Sequence, residues 1–163
     1  MNRARIPLFA LALLVLAWIW QWKFHLPELP EQVATHFSFS GKADGWSSAD
    51  SFRRVYFWLQ AGITIPMLAF ALLIPPLARS GKLELPKRES PEEEEADRDF
   101  LSSQLLWITT LTFALNLQIH QLILRCNLDG TYQLGPSSWI AMGLYLGCLG
   151  LLTRKIWQRS RPS

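Results

Sequence analysis

Four apolar segments, each close to the length that crosses a lipid bilayer, constrain this chain more than any other feature of its sequence. A helix needs about 20 mainly apolar residues to cross the hydrocarbon core, because every backbone polar group there must be paired within the segment. Only 18% of the 163 residues are charged, against about a quarter in soluble domains. We predict four transmembrane helices near residues 6–22, 55–78, 100–124 and 138–153.

The first apolar segment follows Arg3 and Arg5, as the apolar core of a secretory signal peptide would. The segment is long for a cleaved signal peptide, however, and it ends in WIWQWKFH with no small-residue cleavage site. Aromatic residues gather at the membrane–water interface. We therefore interpret the segment as a membrane anchor, with a cleaved signal peptide as the alternative.

The basic residues predict the orientation of the helices, because cytoplasmic loops of membrane proteins are enriched in Lys and Arg. A cytoplasmic N-terminus places most basic residues inside, so we expect both termini in the cytoplasm. The inner set is Arg3, Arg5, Arg79, Lys82, Lys87, Arg88, Arg98, Arg154, Lys155, Arg159 and Arg161, and the outer set is Lys23, Lys42, Arg53, Arg54 and Arg125.

The formal net charge of +3 is explained by this topology and by lipid headgroups, so we expect the lipid bilayer as a partner and no nucleic acid. We interpret residues 1–163 as a single four-helix membrane domain. Residues 1–60 form the first helix and an outer loop, and residues 79–99 form the cytoplasmic loop. Two cysteines without metal-ligand spacing predict no zinc site.

The cytoplasmic loop ends in a helix start signal, SPEEEEADRD. Ser90 can cap the helix, Pro91 suits its first position, and Glu93 stands at the capping-box position. The acidic run complements the positive end of the helix dipole. We predict that the third helix begins near Pro91, and a docking site for a basic partner is the alternative reading of the acidic run.

The loop between the first two apolar segments reads LPELPEQVATHFSFSGKADGW at residues 26–46. From Val33 to Phe39 the residues alternate with period two, which predicts a short strand with one apolar face. Ser40-Gly41 and Asp44-Gly45 predict two turns, because glycine adopts positive φ without steric cost. The outer loop is therefore expected to be structured.

A single strand leaves unpaired backbone groups at its edges, so the predicted strand needs a partner. We predict that it pairs with DGTYQLG at residues 129–135, where Asp129-Gly130 supplies a turn. Trp46 is read as an interface anchor, and Ser47-x-x-Asp50 as the cap of the second helix. The expected fold class is an all-α integral membrane protein, with four transmembrane helices and a small extracytoplasmic loop cap containing a short strand pair.

The outer loop and the helices around it resemble a bacterial membrane family, the domain of unknown function number 1648. The resemblance covers roughly the first third of the chain. It departs from the family pattern at Ala34, where proline is frequent, and at Phe39, where a small residue is usual. The matching residues are Leu29-Pro30, Val33, His36-Phe37, Gly41, Asp44-Gly45 and Trp46.

This resemblance implies a multi-pass protein of the bacterial cytoplasmic (inner) membrane. The same domain begins the SdpI-like proteins, which protect a producing cell from its own secreted peptide toxin and can hold a transcription repressor at the membrane. Their second multi-helix region is not recognisable here, so immunity is an analogy. The candidate recognition residues in the outer loop are Pro30, His36, Phe37, Gly41, Asp44, Gly45 and Trp46.

The third apolar segment carries polar residues that fall on one helical face, with Gln118 on the opposite side. Such residues usually face the interior of a helix bundle. We expect them to make interhelical hydrogen bonds, and a path for protons or a solute is the alternative. The stripe consists of Ser102, Thr109, Thr112, Asn116 and His120.

The three histidines are all predicted near the outer face, which raises the possibility of a metal or proton site with Asp44 and Asp129. No pair has ligand spacing on one element, so we expect structural histidines, no metal and no cofactor. The sequence contains no HExxH, GxSxG, P-loop or cofactor motif, so we expect a protein that is not an enzyme. An acid–base pair of His36 and Asp44 is the catalytic alternative.

Gly143-x-x-x-Gly147 forms a small-residue face on the fourth helix, which suits close packing within the chain or in a homo-oligomer. The leading hypothesis is a binding or sensing module, similar to toxin-immunity proteins, that recognises a peptide or another membrane protein through its outer loop. Two alternatives are a small transport or permeation component that uses the stripe of the third helix, and a structural subunit of a membrane complex.

Overall fold

The computed structural model describes residues 4–84 and 88–160 of the chain. It contains four α-helices and, between the first two, a β-hairpin. All four helices are long and apolar enough to cross a membrane, and their number agrees with the four helices predicted from the sequence. The elements are α1 (Arg5–Phe24), β1 (Gln32–Phe37), β2 (Ala43–Ser48), α2 (Ala49–Arg79), α3 (Pro91–Leu128) and α4 (Ser137–Ser160).

We call the end of the bundle that bears the hairpin the hairpin end, and the opposite end the termini end. A short 3-10 helix, Leu26–Glu28, leads from α1 into the hairpin. α2 runs without interruption through Pro66 and the Pro75-Pro76 pair and ends at Arg79. Helical structure therefore extends beyond the apolar segments from which the spans were predicted.

α3 is the central helix, because it packs against α1, α2 and α4. A hydroxyl group of α3 bonds to each neighbour. Ser102 Oγ donates to the Ala71 carbonyl oxygen of α2 (2.7 Å), and Thr110 Oγ1 donates to the Pro7 carbonyl oxygen of α1 (3.1 Å). Thr112 Oγ1 lies 3.1 Å from Tyr145 Oη of α4. Short polar side chains let neighbouring helices approach closely, so α3 holds the bundle together.

An apolar core fills the hairpin end and joins the hairpin to the helices. Phe37 and Trp22 pack against its rim. The buried members come from the 3-10 helix and the residue that follows it, and from β1, α2 and α3, so the hairpin cannot move away without exposing apolar surface to water. These members are Leu26, Leu29, Val33, Ala49, Phe52, Tyr56, Ile123 and Leu124.

β1 pairs with β2 in an antiparallel hairpin, with Val33 opposite Ser47 and Ala34 opposite Trp46. The prediction of a strand pair is confirmed, but residues 129–135 were the wrong partner for β1. The five residues between β1 and β2 close a short loop, whereas a partner beyond α3 would require a much longer closure. The short separation in sequence between β1 and β2 therefore favours the hairpin.

The later loop contacts the hairpin at its turn instead. Ala43 N donates to the Tyr132 carbonyl oxygen (3.0 Å), and Leu134 N donates to the Gly41 carbonyl oxygen (2.8 Å). These two bonds flank an antiparallel bridge between Lys42 and Gln133. The two loops at the hairpin end therefore form one cap, which we define as residues 29–48 together with 129–139.

Two local predictions in the outer loop need correction. Gly41 has φ +82 in the turn, as expected, but Asp44-Gly45 lies within β2 and Gly45 has no positive φ. The cap of α2 is Ser48, whose Oγ accepts from Ser51 N (3.2 Å), and not Ser47, which is paired in the hairpin. By contrast, Ser90 Oγ accepts from Glu93 N (3.2 Å), so the predicted start of α3 is confirmed.

The edge of β1 that does not pair with β2 is hydrogen-bonded to a side chain. Asn127 Oδ1 accepts from Ala34 N (2.7 Å), and Asn127 Nδ2 donates to the Ala34 carbonyl oxygen (3.0 Å) and to that of Ile123 (2.8 Å). Asn127 and Ala34 are both buried. One amide therefore replaces the neighbouring strand that β1 would otherwise need.

An ion-pair cluster ties the chain together at the termini end. Asp97 of α3 accepts from Arg88 Nε (2.6 Å) and from Arg159 Nε of α4 (2.5 Å). The Arg159 guanidinium also lies 4.8 Å from the centre of the Phe100 ring. This cluster fixes the start of α3 against the end of α4.

We predict that Asn127→Leu loosens the hairpin. The substitution leaves the buried Ala34 N–H and C=O groups unpaired, which lowers the free energy of unfolding by about 2 kcal/mol or more. Hydrogen exchange at the Ala34 amide and thermal unfolding in detergent measure the effect. As a control, Arg125→Lys changes an exposed side chain on the same helix and shifts stability by less than about 0.5 kcal/mol. Unchanged exchange at Ala34 in the Asn127 variant would contradict the prediction.

Candidate functional site: the cap and the polar groups beneath it

The candidate recognition residues all lie in the cap or at its border, but they differ in exposure. Pro30, His36, Asp44 and Trp46 are exposed, whereas Phe37 packs against the apolar core. Phe37 therefore supports the cap from below and does not form part of its surface.

His36 and Asp44 form an exposed pair on the hairpin surface. His36 Nδ1 lies 2.5 Å from Asp44 Oδ1. Both side chains are open to the surroundings. The pair joins β1 to β2 at a point where the register of the hairpin is irregular. An exposed pair of this kind stabilises a fold by at most about 1 kcal/mol, so it is available for contact with a partner.

Gly45 is required because of a close approach, and not because of its backbone conformation. A Cβ atom at this position would lie 2.8 Å from the Cβ atom of His36 on the facing strand. Any side chain here would push the two strands apart. Gly41 combines both requirements, since it has φ +82 and a Cβ there would lie 2.5 Å from the Leu134 carbonyl oxygen.

Two aromatic pairs lie on the cap, and each joins the hairpin to the later loop or the start of α4. The Phe39 ring lies 4.8 Å from the Trp139 ring, and Trp46 lies 4.8 Å from Tyr132. Phe39 is 87% exposed and Trp139 52%. Tyr132 is held at φ +50, a conformation that is uncommon for a bulky residue. The pairs give the cap a defined aromatic surface.

A shallow cleft of about 490 Å³ adjoins the Phe39–Trp139 pair. Ser40 borders it on the hairpin side, and Trp139 on the α4 side. Thr131, Gln133 and the stretch of chain from Leu134 to Pro136 complete its wall. The cleft therefore combines backbone and hydroxyl groups with an aromatic side.

Beneath the cap, hydrogen bonds connect polar side chains of three helices. Tyr56 Oη donates to Gln21 Oε1 (2.7 Å), and Gln21 Nε2 donates to Gln121 Oε1 (2.6 Å). The Tyr56 ring lies 3.7 Å from the His120 ring, and His120 Nδ1 donates to the Asn116 carbonyl oxygen (2.7 Å). This network fixes α1, α2 and α3 relative to one another just below the core.

The polar stripe predicted for α3 does not form a continuous row of hydrogen bonds. Thr109 bonds within its own helix, to the Leu105 carbonyl oxygen (2.8 Å), and Thr112 reaches α4. The Nδ2 group of Asn116 is buried without a partner among the described residues. Within the stripe, Ser102 and Thr112 make the expected interhelical hydrogen bonds, and His120 contributes through its ring contact with α2.

Several functional-site residues were missed in the sequence. Gln21 lies in the aromatic run WIWQWKF, and Tyr56 and Gln60 are one helical turn apart in α2. Gln60 is 1% exposed, and neither polar atom of its amide has a partner within the described part of the chain. A polar residue inside an apolar span was the available signal, because such residues face the bundle interior.

Within residues 4–84 and 88–160, no group of three or more His, Cys, Asp or Glu side chains is placed to hold a metal ion. His36 lies on the surface of the cap and His120 in the interior, so the two imidazole rings lie in different parts of the molecule. The described residues of the cap and of the interior beneath it therefore offer contact surfaces and hydrogen-bond donors and acceptors to a partner.

Comparison with known families matches the first part of the chain. The model of the family described as Domain of unknown function (DUF1648) matches residues 8–52. The resemblance to this family is confirmed. The DUF1648 match covers most of α1, the whole hairpin and the first turn of α2. No curated protein matches the chain, and no solved structure matches it.

We predict that Gly41→Ala separates the hairpin from the later loop. Alanine at φ +82 costs about 1–2 kcal/mol in backbone strain, and its Cβ would clash with the Leu134 carbonyl oxygen. Hydrogen exchange at the Ala43 and Leu134 amides should become faster. Gly135→Ala is the matched control, because a Cβ there meets Ser137 Oγ at an ordinary 3.8 Å. Equal protection in both variants would show that the contact is not needed.

Proposed function

We propose that the protein is an integral membrane protein whose cap binds a peptide or another membrane protein on the outer face of a bacterial inner membrane. The observation that carries the proposal is the exposed Phe39–Trp139 pair on a cap that is fixed to the helix bundle. The proposed role is non-enzymatic binding or sensing, and toxin immunity of the SdpI-like kind is one form that it could take.

Rigidity of the cap supports this function. Asn127 holds β1 from one side, the Gly41–Leu134 contact holds the turn, and the buried core lies underneath. A side chain presented by a fixed scaffold loses little conformational freedom on binding, which favours affinity. The two aromatic pairs are thus held ready for a partner.

The chemistry of the cap surface indicates the kind of partner. Aromatic side chains dominate the energetic centres of protein interfaces. The Phe39–Trp139 pair offers apolar contact, the adjoining cleft offers hydroxyl and backbone groups, and His36–Asp44 offers polar contact. A peptide segment with an apolar side chain and free backbone groups fits this combination.

The orientation proposed for the protein rests on its basic residues. Arg79 and Arg88, together with α4 residues Arg154, Lys155 and Arg159, lie at the termini end, opposite the cap. Basic residues favour the cytoplasmic side of a membrane. The proposed orientation therefore has both termini in the cytoplasm and the cap outside, where a secreted or membrane-bound partner can reach it.

Cysteine labelling tests the orientation. A Lys42→Cys variant is expected to react with a membrane-impermeant maleimide in intact spheroplasts, and a Glu93→Cys variant after permeabilisation alone. Both positions are exposed, so access to the reagent differs through the membrane and not through burial. Labelling of both positions, or of neither, in intact spheroplasts would contradict the proposed membrane topology. Labelling of the Glu93→Cys variant alone would indicate the opposite orientation.

Site-specific photocrosslinking tests the binding role of the cap. A benzoylphenylalanine placed at residue 39 is expected to join the protein to one discrete partner in its native membrane. The same group at Phe70, an exposed position on α2 away from the cap, serves as the matched control. Once that partner is purified, Trp139→Ala should weaken its binding about tenfold, the loss typical of an aromatic contact at an interface centre. Absence of a discrete product at residue 39, or the same product at residue 70, would reject the proposal.

A further inference from the structure

A lateral groove lies between α1, α3 and α4 on the side of the bundle away from α2. Its volume is about 460 Å³. Gln118 and Gln121 of α3, Leu144, Tyr145 and Cys148 of α4, and Leu14 of α1 are among the residues that line it. The groove arises because α4 packs against α3 but buries none of its own residues.

The groove has a polar end and an apolar end. Gln121 lies seven residues before the end of α3, about 10 Å along the helix axis from the hairpin end, and Gln118 lies one turn deeper. Leu111 lies about 25 Å from that end, and Leu14 about 15 Å from the end of α1. The amide side chains are therefore grouped near the hairpin end, and leucine side chains line the groove toward the middle of the helices.

Gln118 is exposed in the groove and has no hydrogen-bond partner among the described residues. An amide that faces hydrocarbon without a partner is unfavourable by at least about 1 kcal/mol. The occupant of the groove should therefore offer a hydrogen-bond acceptor or donor at the level of Gln118. No Lys, Arg, Asp or Glu lines the groove, so the complementary group is neutral.

The size of the groove suits a small molecule or a single lipid chain. Its volume falls within the range of about 300–1,000 Å³ that is typical of small-molecule sites lined mainly by apolar side chains with a few polar groups.

We propose that this groove holds one bilayer phospholipid, with an acyl chain along Leu144 and Leu14 and an ester carbonyl oxygen accepting from Gln118 Nε2. The ester region of a bilayer lies near its interface, at the level where the amides are grouped. The acyl chain then continues toward the bilayer centre. The proposal rests on the membrane insertion proposed above and goes beyond the binding role of the cap.

Two leucines of α4 provide a matched pair for the test. Leu144 lines the groove and is 67% exposed, whereas Leu146 is 56% exposed and does not line the groove. The full-length protein is reconstituted into vesicles of phosphatidylethanolamine and phosphatidylglycerol. These vesicles contain a trace of phosphatidylcholine with a diazirine in its acyl chain. After illumination, mass spectrometry locates the lipid adducts on the chain.

We expect adducts to concentrate on residues 111–121 and 141–148. Leu144→Trp should fill the groove and lower these adducts about tenfold, since it displaces several chain methylenes. Leu146→Trp should leave them unchanged. Gln118→Leu should reduce the number of lipids that remain bound in native mass spectrometry after detergent extraction, because it removes the hydrogen bond to the ester.

Three results would overturn the proposal. Adducts spread evenly over all four helices would mean that lipid contact is unselective. Equal effects of Leu144→Trp and Leu146→Trp would show that the groove has no special role, and a chain-to-chain product from a photoreactive residue at 144 would assign the groove to a second copy. If the protein does not float with the vesicles, both the proposed membrane insertion and the proposed lipid site are rejected. If the protein inserts but shows no adducts in the groove, the lipid site alone is rejected.

Discussion

The packing of three helices around α3 is the constraint on which the rest of the structure depends. In a bilayer, apolar side chains gain little by moving from lipid to protein, so helices associate through close packing and hydrogen bonds. α3 supplies both, through hydroxyl groups that bond to α1, α2 and α4. Its last turn then extends this role to the hairpin, where Asn127 takes the place of a neighbouring strand.

This arrangement separates the molecule into parts with different chemistry. The cap is hydrogen-bonded to the bundle and carries exposed aromatic side chains, which suits contact with a partner. The interior beneath it contains uncharged polar groups, among them Gln21, Tyr56 and His120, and these fix the helices relative to one another. α4 contributes least to the core and leaves a groove beside it. Binding at the cap and lipid contact at the groove would thus use separate surfaces of one bundle.

Two amide side chains with buried polar atoms lie next to the hydrogen-bonded network. Tyr56 contacts His120, and one turn deeper on the two antiparallel helices lie Gln60 and Asn116. Polar atoms of both side chains are buried without a partner in the described part of the chain. Unpaired amides are unfavourable in such surroundings, so these two side chains lower the stability of the α2–α3 contact at this level.

The sequence by itself determined the number of helices, the start of α3 at Ser90 and Pro91, the strand that begins near Val33, and the family resemblance of the outer loop. These features depend on local pattern, that is, on apolar length, capping residues and period-two alternation. The recognition role of the seven candidate residues in the outer loop stays a prediction. Their structural roles were not visible in the motif, since Phe37 supports the core and Gly45 is needed for a close approach to His36.

The tertiary structure alone decided which strand pairs with β1, which amide closes its edge, and which polar side chains meet in the interior. Asn127 is separated from Ala34 by 93 positions, and Gln21 from Gln121 by 100. No periodicity links residues at such separations, because their meeting depends on the angles and distances at which whole helices pack. The Phe39–Trp139 pair and the groove beside α4 arise in the same way, as products of helix placement that a one-dimensional pattern does not contain.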